Sequence, residues 1–189
     1  RCHGLAHHRI DGGLHVEGTD VSELIKIKKY EKEVHACLAS EIAGNFPTHL
    51  VSKTDEPLLR SHPAVTHELA KKKVRATLKL DGSSCTIGLV NDEFFVCSRN
   101  LKLKENEGNS FWRIARQYDL EKHFRAGNND VIVQGELVGP GVQKNPIGLP
   151  ALDFYVFNVT FPNPERKYAD SESAETFAKA CGLKWVPLA

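Results

Sequence analysis

The sequence has no methionine and no long apolar run. Its 189 residues open at Arg1 within polar sequence, so we expect a piece of a longer protein. The longest uncharged apolar stretches, such as Phe154 to Val159, fall far short of the roughly 20 residues that a membrane-spanning helix needs. A hydrophobic content of 41% is too high for a disordered chain. These features exclude a membrane-spanning helix and intrinsic disorder, and they indicate a globular domain with a core.

Cysteine is scarce, and its spacing forms no C-x-x-C pair. The five cysteines are Cys2, Cys37, Cys85, Cys97 and Cys181, an odd number, and no signal segment precedes them. A secreted disulfide framework usually has denser cysteines in a shorter chain. The pattern therefore predicts reduced thiols and an intracellular, cytoplasmic location.

A large net charge is also absent, since 25 Lys and Arg face 24 Asp and Glu. The balance hides a local bias, because residues 71–125 hold twelve basic and seven acidic residues. Such a surplus favours a polyanionic partner such as a nucleotide or nucleic acid, although an ordinary solvated surface gives the same pattern.

Turn residues and hydrophobic periodicity divide the chain near residue 45. Residues 1–45 are rich in glycine, histidine and charge, with one run, Val21 to Ile27, that fits a helix or a strand. We interpret 1–45 as the remnant of a preceding module with its connector. Residues 46–189 hold the periodic segments of a second domain.

Three strands are predicted at the start of the periodic region. Val74 to Leu80 alternates apolar and polar residues, which predicts a half-buried strand with Lys79 on its polar face. The turn residues 81–84 follow, and 85–90 and 94–98 are expected to form two strands joined at Asn91-Asp92. The three strands are typical of an antiparallel meander.

Helices and further strands follow in alternation. Asn109-Ser110 is expected to cap one helix that runs to Gly127. A second helix is expected over 171–181 and ends at Gly182. Strands are predicted at 131–138 and 152–160, separated by a glycine- and proline-rich loop. The order β-β-β-α-β-β-α predicts an α+β fold and not a parallel, doubly wound one.

Lys79 is a candidate nucleophile because it stands beside a tight Asp-Gly turn. A lysine amine attacks only when it is deprotonated, and neighbouring cations such as Arg75 and Arg99 would favour the neutral form. The tetrapeptide alone fits a solvent-facing lysine before a hairpin equally well.

Four sequence blocks together resemble the covalent nucleotidyltransferases, which include ATP-dependent DNA and RNA ligases and capping enzymes. Lys79-Leu80-Asp81-Gly82 is similar to their K-x-D-G signature, and Ser98-Arg99-Asn100 to their arginine block. The runs QGELVG at 134–139 and FYVFNV at 154–159 resemble the two later motifs. All four occur in the family's order.

The flanking runs, among them VCSRNLKLKENEGNSFWRIA and VQGELVGPGVQKNPIG, resemble the nick-sealing RNA ligases that carry an N-terminal OB module. The resemblance extends from about Glu17 to the C-terminus. It implies an ATP-grasp-like adenylylation domain of antiparallel sheets with flanking helices over 46–189, and an OB-like origin for 1–45.

The resemblance also implies a role for each matching residue. Lys79 would form the lysyl-adenylate, Leu80 and Arg99 would contact the nucleotide, and Phe157 would stack on adenine. Asp81 and Glu136 would hold Mg²⁺ or Mn²⁺ through water, with Glu136 also serving catalysis and the nucleotide. The implied partners are ATP and an RNA with 5′-phosphate and 3′-hydroxyl ends. Candidate RNA or phosphate contacts are Lys102 and Lys104, which fit a solvated loop equally well.

Two departures from the family pattern stand out. Leu78 occupies the position before the nucleophile where these relatives often carry glutamate, and neither an E-G-x-V block nor a K-x-K strand follows Val159. We therefore expect a trimmed domain whose active site is incomplete at its C-terminal side. A DNA-ligase-type or capping enzyme and an inactive nucleotide- or RNA-binding fragment remain as alternatives.

Overall fold

A computed structural model describes residues 7–10, 13–16, 23, 24, 26, 41–56, 58–127, 129–162 and 167–189. The chain divides into two units, Arg1–Ala36 and Cys37–Ala189. In the first unit, β1 (His7–Ile10) pairs antiparallel with β2 (Gly13–Val16). Most of the run Val21 to Ile27 lies outside the described residues, and the OB-like origin of this region stays a prediction.

The described part of the second unit is built on one eight-stranded sheet. Its strands are β3 (Ile42–Asn45), β4 (Ser83–Val90), β5 (Glu93–Cys97), β6 (Leu101–Leu103), β7 (Val131–Val138), β8 (Asp153–Phe161), β9 (Lys167–Tyr168) and β10 (Lys184–Trp185). The strand order is β10-β8-β7-β4-β5-β6-β3, and β9 also pairs with β8. Only β10 and β8 run parallel in these described strands.

The helices of this unit are α1 (Pro63–Leu69), α2 (Ser110–Gln117), α3 (Leu120–Ala126) and α4 (Ser171–Ala180), with a 3-10 helix at Leu59–Ser61. The predicted α+β class is confirmed, and the strands predicted at 85–90 and 94–98 pair antiparallel as β4 and β5. The third strand of the meander is β6, which follows β5, and not the predicted Val74 to Leu80. Asn91 and Asp92 form the β4–β5 turn at φ 50° and 65°, the left-handed conformation that two-residue hairpins favour.

The sheet has one apolar face and one largely polar face. Buried side chains of β4, β7 and β8, such as Ile87, Val133 and Val156, form the main core with residues of α2, α3 and α4. On the other face, Ser84 lies opposite Glu136 and Thr86 opposite Gln134. Successive side chains of a strand alternate between faces, so this second face presents a polar band along β4 and β7.

A second, smaller core cluster covers one end of the polar face. Phe46 and Val51, from the segment after β3, pack there with Val90, Phe95 and Ile132. The segment thereby leaves the opposite end of the face, around Ser84 and Glu136, for a site.

The prediction of a single helix from Asn109 to Gly127 is wrong in one respect, because this region forms two helices, α2 and α3. Asn109 caps α2 as expected, with its side chain accepting a hydrogen bond from the Phe111 N–H at 3.0 Å. Asp119 then adopts φ 49°, which no helix interior permits, and α3 begins in a new direction. The break allows Ile114 of α2 and Phe124 of α3 both to reach the core.

The predicted strand Val74 to Leu80 is also wrong. The backbone of this segment pairs with no strand of the sheet and forms an isolated bridge between Thr77 and Leu188. Val74 is 59% exposed and Leu78 50%, so its apolar face does not lie against the core. Alternation marks a half-buried strand only where another layer covers the apolar face, and none of the described residues supplies that layer.

Three of the five cysteines, Cys85, Cys97 and Cys181, are described, and each is a buried free thiol. Burial raises the pKa of Cys97 to about 12, although the charge of Lys102 acts in the opposite direction. Such thiols are poor nucleophiles at neutral pH, so we assign them to the core. In the described part of the chain, no helix combines the length and hydropathy needed to cross a membrane.

Candidate active site

The Lys79-Leu80-Asp81-Gly82 turn leads into β4 and lies against β7. The Gly82 N–H donates a hydrogen bond to Glu136 Oε1 at 3.0 Å, and Gln143 Nε2 donates one to the Gly82 carbonyl at 3.2 Å. A Cβ at Gly82 would lie 2.2 Å from the Leu137 carbonyl oxygen, so only glycine permits this approach. The turn therefore presents Lys79, which is exposed, beside the polar end of β7.

Glu136 is the electrostatic centre of the site. Burial raises the pKa of its carboxyl above the usual value, while the Gly82 N–H and the charges of Lys79 and Arg99 act to lower it. The charge of Asp81 adds to the increase. The charges of Lys79, Asp81 and Arg99, all candidates from the sequence, therefore act on the Glu136 carboxyl.

Arg99 reaches this site from the turn between β5 and β6. Its exposed guanidinium forms an ion pair with Asp55, and the neighbouring Asn100 accepts a hydrogen bond from Lys53 Nζ at 2.9 Å. The two partners, Asp55 and Lys53, belong to a short polar segment, Ser52 to Asp55. This segment directly follows Val51 of the smaller core cluster.

The same polar segment also binds the strands beneath it. Gln134 Nε2 donates to the Ser52 carbonyl at 2.9 Å, and the hydroxyls of Thr54 and Ser84 lie 2.7 Å apart in a hydrogen bond. Ser52 to Asp55 therefore forms a wall of the site, to which sequence reasoning assigned no individual role. The available signal was the change from buried Phe46 and Val51 to four consecutive polar residues.

Phe157 lies at an irregularity of β8. Gln134 pairs with Asn158 and Gly135 with Val156, so Phe157 is the extra residue of a β-bulge. It is half-exposed and belongs to neither core cluster of the described residues. This placement favours a ring available to a ligand over a core aromatic.

The two candidate RNA contacts differ in their surroundings. Lys102 forms an ion pair with Glu93, and its Nζ lies 5.7 Å from the centroid of the Phe95 ring, beside a cavity of about 350 Å³. Lys104 is exposed and has no acidic partner among the described residues. Of these two lysines, Lys104 is the one without an acidic partner in the part of the chain that the structure describes. Leu80, the candidate nucleotide contact in the turn, is half-buried.

Arg75 does not take the place that the sequence suggested for it. Its guanidinium donates to Glu175 Oε2 at 2.6 Å and to Ser171 Oγ at 3.2 Å, both on α4. The expectation that Arg75 acts as a bare cation beside the Lys79 amine is not supported, because a carboxylate compensates its charge.

The residues at the site fit a divalent cation that is shared with a substrate. No three His, Cys, Asp or Glu side chains within the described ranges cluster to hold a metal on their own. Asp81 and Glu136 supply two carboxylates whose charges interact. Mg²⁺ and Mn²⁺ favour such oxygen donors, and Mg²⁺ is commonly held by one or two carboxylates together with water and substrate phosphates.

Comparison with known proteins agrees with this geometry. The model of the RNA ligase family matches residues 72–189, and the chain belongs to that family. A comparison with curated proteins finds no significant match.

Solved structures similar to this chain include Naegleria gruberi RNA ligase with pyrophosphate, at a TM-score of 0.74 and 29% identity. That match covers 98% of this chain and 60% of the other. A mutant of the same ligase with ATP and Mn gives a TM-score of 0.75 at 29% identity, covering 97% and 59%. A mutant with AMP and Mn gives 0.74 at 29%, covering 98% and 61%. The chain thus spans about 60% of the length of these relatives, and the resemblance to an RNA ligase nucleotidyltransferase is confirmed.

Proposed function

We propose that this chain carries the nucleotide site of an ATP-dependent RNA ligase and that Lys79 is its nucleophile. The observation that carries the proposal is the convergence on Glu136, where the Gly82 N–H binds the carboxyl and the charges of Lys79, Asp81 and Arg99 act on it. The Naegleria structures with ATP, AMP and pyrophosphate support it, because these are the substrate and products of adenylyl transfer.

The first step forms a bond between Lys79 Nζ and the α-phosphorus of ATP. The amine loses its proton, the bond from that phosphorus to the bridging oxygen breaks, and pyrophosphate leaves with the electron pair. The AMP then passes to an RNA 5′-phosphate, and a 3′-hydroxyl displaces it to form the phosphodiester. Phosphoryl transfer of this kind depends mainly on positioning and charge neutralisation.

The remaining residues position the substrates. Arg99 would contact the ribose, Leu80 the nucleotide and Phe157 the adenine, while Lys102 and Lys104 would meet RNA phosphates. Asp81 and Glu136 would hold Mg²⁺ or Mn²⁺ through water, and the cation would neutralise charge on the phosphates. We also retain the OB-like origin of 1–45, the domain at 46–189 and the intracellular location as proposals.

The proposal is tested against its alternatives by comparing substrates. The purified chain is incubated with α-labelled ATP or GTP, and then with nicked RNA or nicked DNA. Protein labelling from ATP alone, with transfer to RNA, supports an RNA ligase. Preferential sealing of DNA, or labelling from GTP, would indicate the DNA-ligase or capping alternative. Nucleotide binding without any adduct would indicate a binding fragment.

Removing the Phe157 ring is expected to weaken ATP binding by about 1–3 kcal/mol, the range found for aromatic stacking on bases. Calorimetric titration of Phe157→Ala with ATP measures this effect. Phe161→Ala is the matched control, because Phe161 lies on the same strand but packs edge-on against Phe177 of α4. Equal ATP affinity in Phe157→Ala and the wild type would refute the stacking role.

Glu136→Gln is expected to separate stability from activity. Burial raises the pKa of Glu136, so the ionised carboxyl opposes folding as the pH rises through that pKa. The uncharged amide can still accept the Gly82 N–H. We therefore expect Glu136→Gln to unfold at a higher denaturant concentration than the wild type at neutral pH. The difference should vanish in acid, where the wild-type carboxyl is protonated in both states.

The same variant is expected to form the AMP adduct about 10- to 100-fold more slowly, as is typical when a group that orients metal ligands is lost. Adduct formation is followed with α-labelled ATP at neutral pH. A Glu136→Gln variant that keeps wild-type adduct formation would remove Glu136 from the catalytic site. One that is less stable than the wild type at neutral pH would contradict the pKa argument.

A further inference from the structure

Few backbone contacts hold the segment that carries Lys79. Residues 74–80 lie outside the sheet, and two hydrogen bonds connect them to the chain end. These run from the Leu78 N–H to the Pro187 carbonyl at 2.9 Å and from the Ala189 N–H to the Ala76 carbonyl at 3.0 Å. Apolar burial adds little, because Arg75 and Leu80 are the only half-buried residues of this segment and its other residues are exposed. Another interaction must fix its upstream part.

Arg75 supplies that interaction through its two hydrogen bonds to α4. The Arg75 and Glu175 side chains are only 23% and 21% exposed, and two guanidinium nitrogens bind two different residues. A forked contact of this kind restricts orientation more than a single ammonium contact does. The nearby pair of Lys73 and Glu172 spans 3.9 Å with side chains 91% and 74% exposed, so it restrains little.

The helix that receives Arg75 is itself fixed in the core. Ala174 and Ala178 of α4 are buried in the main cluster with residues of β8. Glu175 also accepts a contact from Lys179 Nζ at 2.7 Å, and hydrogen bonds from Lys179 and Arg75 hold the pKa of its carboxyl below the usual value. The carboxylate is therefore ionised and oriented at neutral pH.

We propose that Arg75, bound to Glu175 and Ser171, is a positioning residue for the Lys79 nucleophile. This inference rests on the proposed role of Lys79 and adds an element to it. Glu136 and Gln143 fix the turn after Lys79 at Gly82, and Arg75 fixes the segment four residues before Lys79. Restraint on both sides limits where the amine can move, and the rate of an in-line attack depends steeply on such positioning.

The kinetic test measures single-turnover formation of the AMP adduct over a range of ATP concentrations. Arg75→Ala is expected to lower the rate at saturating ATP by about tenfold or more, with little change in the half-saturating concentration. Glu175→Ala should act similarly, and the double variant should lose no more than the larger single loss, because both belong to one contact. Arg75→Lys should recover part of the rate, and Lys73→Ala, the matched control, should keep all of it.

Hydrogen exchange provides a readout that does not depend on activity. The Leu78 amide should exchange faster in Arg75→Ala than in the wild type or Lys73→Ala, while core amides of β7 keep their protection. Unchanged Leu78 exchange, or a wild-type rate of adduct formation in Arg75→Ala, would overturn the positioning role. A wild type that forms no adduct would instead overturn the proposed function, and the exchange data would then decide whether the contact fixes the segment.

Discussion

Lys79→Ala is expected to form no covalent AMP adduct, and Lys79→Arg to form none either. Alanine has no nucleophile, and the arginine guanidinium remains protonated at any pH that the protein tolerates. The side chain is exposed at a turn fixed by Glu136, so either substitution should leave the fold intact. The measurement is protein labelling from α-labelled ATP and a divalent cation, resolved on a denaturing gel.

The matched control for this experiment is Lys72→Ala, another exposed lysine close to Lys79 in sequence. It should label like the wild type, which shows that loss of one surface charge is harmless. Circular dichroism of each variant checks that the fold persists. Label that survives in Lys79→Arg would place the nucleophile on another residue.

Gly82→Ala should have the second large effect. Its Cβ would lie 2.2 Å from the Leu137 carbonyl oxygen and 2.7 Å from Val138 Cγ1, and the backbone oxygen cannot rotate away. The turn would have to leave β7 and give up the hydrogen bond to Glu136. We expect a destabilisation of about 1–3 kcal/mol, as for overpacked sites. Adduct formation should fall by about 100-fold or more, since a misplaced nucleophile costs that much.

Gly44→Ala tests whether any glycine substitution in the sheet has this effect. A Cβ at Gly44 meets nothing within 4 Å, so the variant should retain nearly wild-type stability and labelling. Urea denaturation and adduct formation are measured on both variants. Wild-type labelling by Gly82→Ala would show that the close approach of the turn to β7 is unnecessary for the chemistry.

Local sequence signals predicted most of the fold. Strands β4, β5, β7 and β8 combine apolar runs with turn residues at their ends, and Gly182 follows the end of α4 as predicted. The break at Asp119 was missed although the sequence holds a signal for it. In one continuous helix Leu120 and Phe124 would face away from Ile114, so the three side chains could not reach the same core. The segment 74–80 was misassigned because alternation does not reveal whether another layer covers the apolar side.

The sequence also predicted the order of the site motifs. It did not predict the tertiary contacts that hold the motif residues in place. Arg99 binds Asp55 across a separation of 44 residues, Gln143 binds Gly82 across 61 and Arg75 binds Glu175 across 100. No local pattern encodes such pairs, since each depends on how the strands and helices are arranged in space. Motif matching therefore identifies Lys79 as a candidate nucleophile but not the tertiary contacts that support the site.

The most direct test of the central claim is to locate the AMP on the wild-type chain. The protein is incubated with ATP and Mg²⁺, digested and analysed by tandem mass spectrometry. The account predicts AMP mass on one peptide, with the fragment ions assigning it to Lys79. AMP on any other residue would contradict Lys79 as the nucleophile, whereas no AMP on a chain that still binds ATP would indicate the binding-fragment alternative.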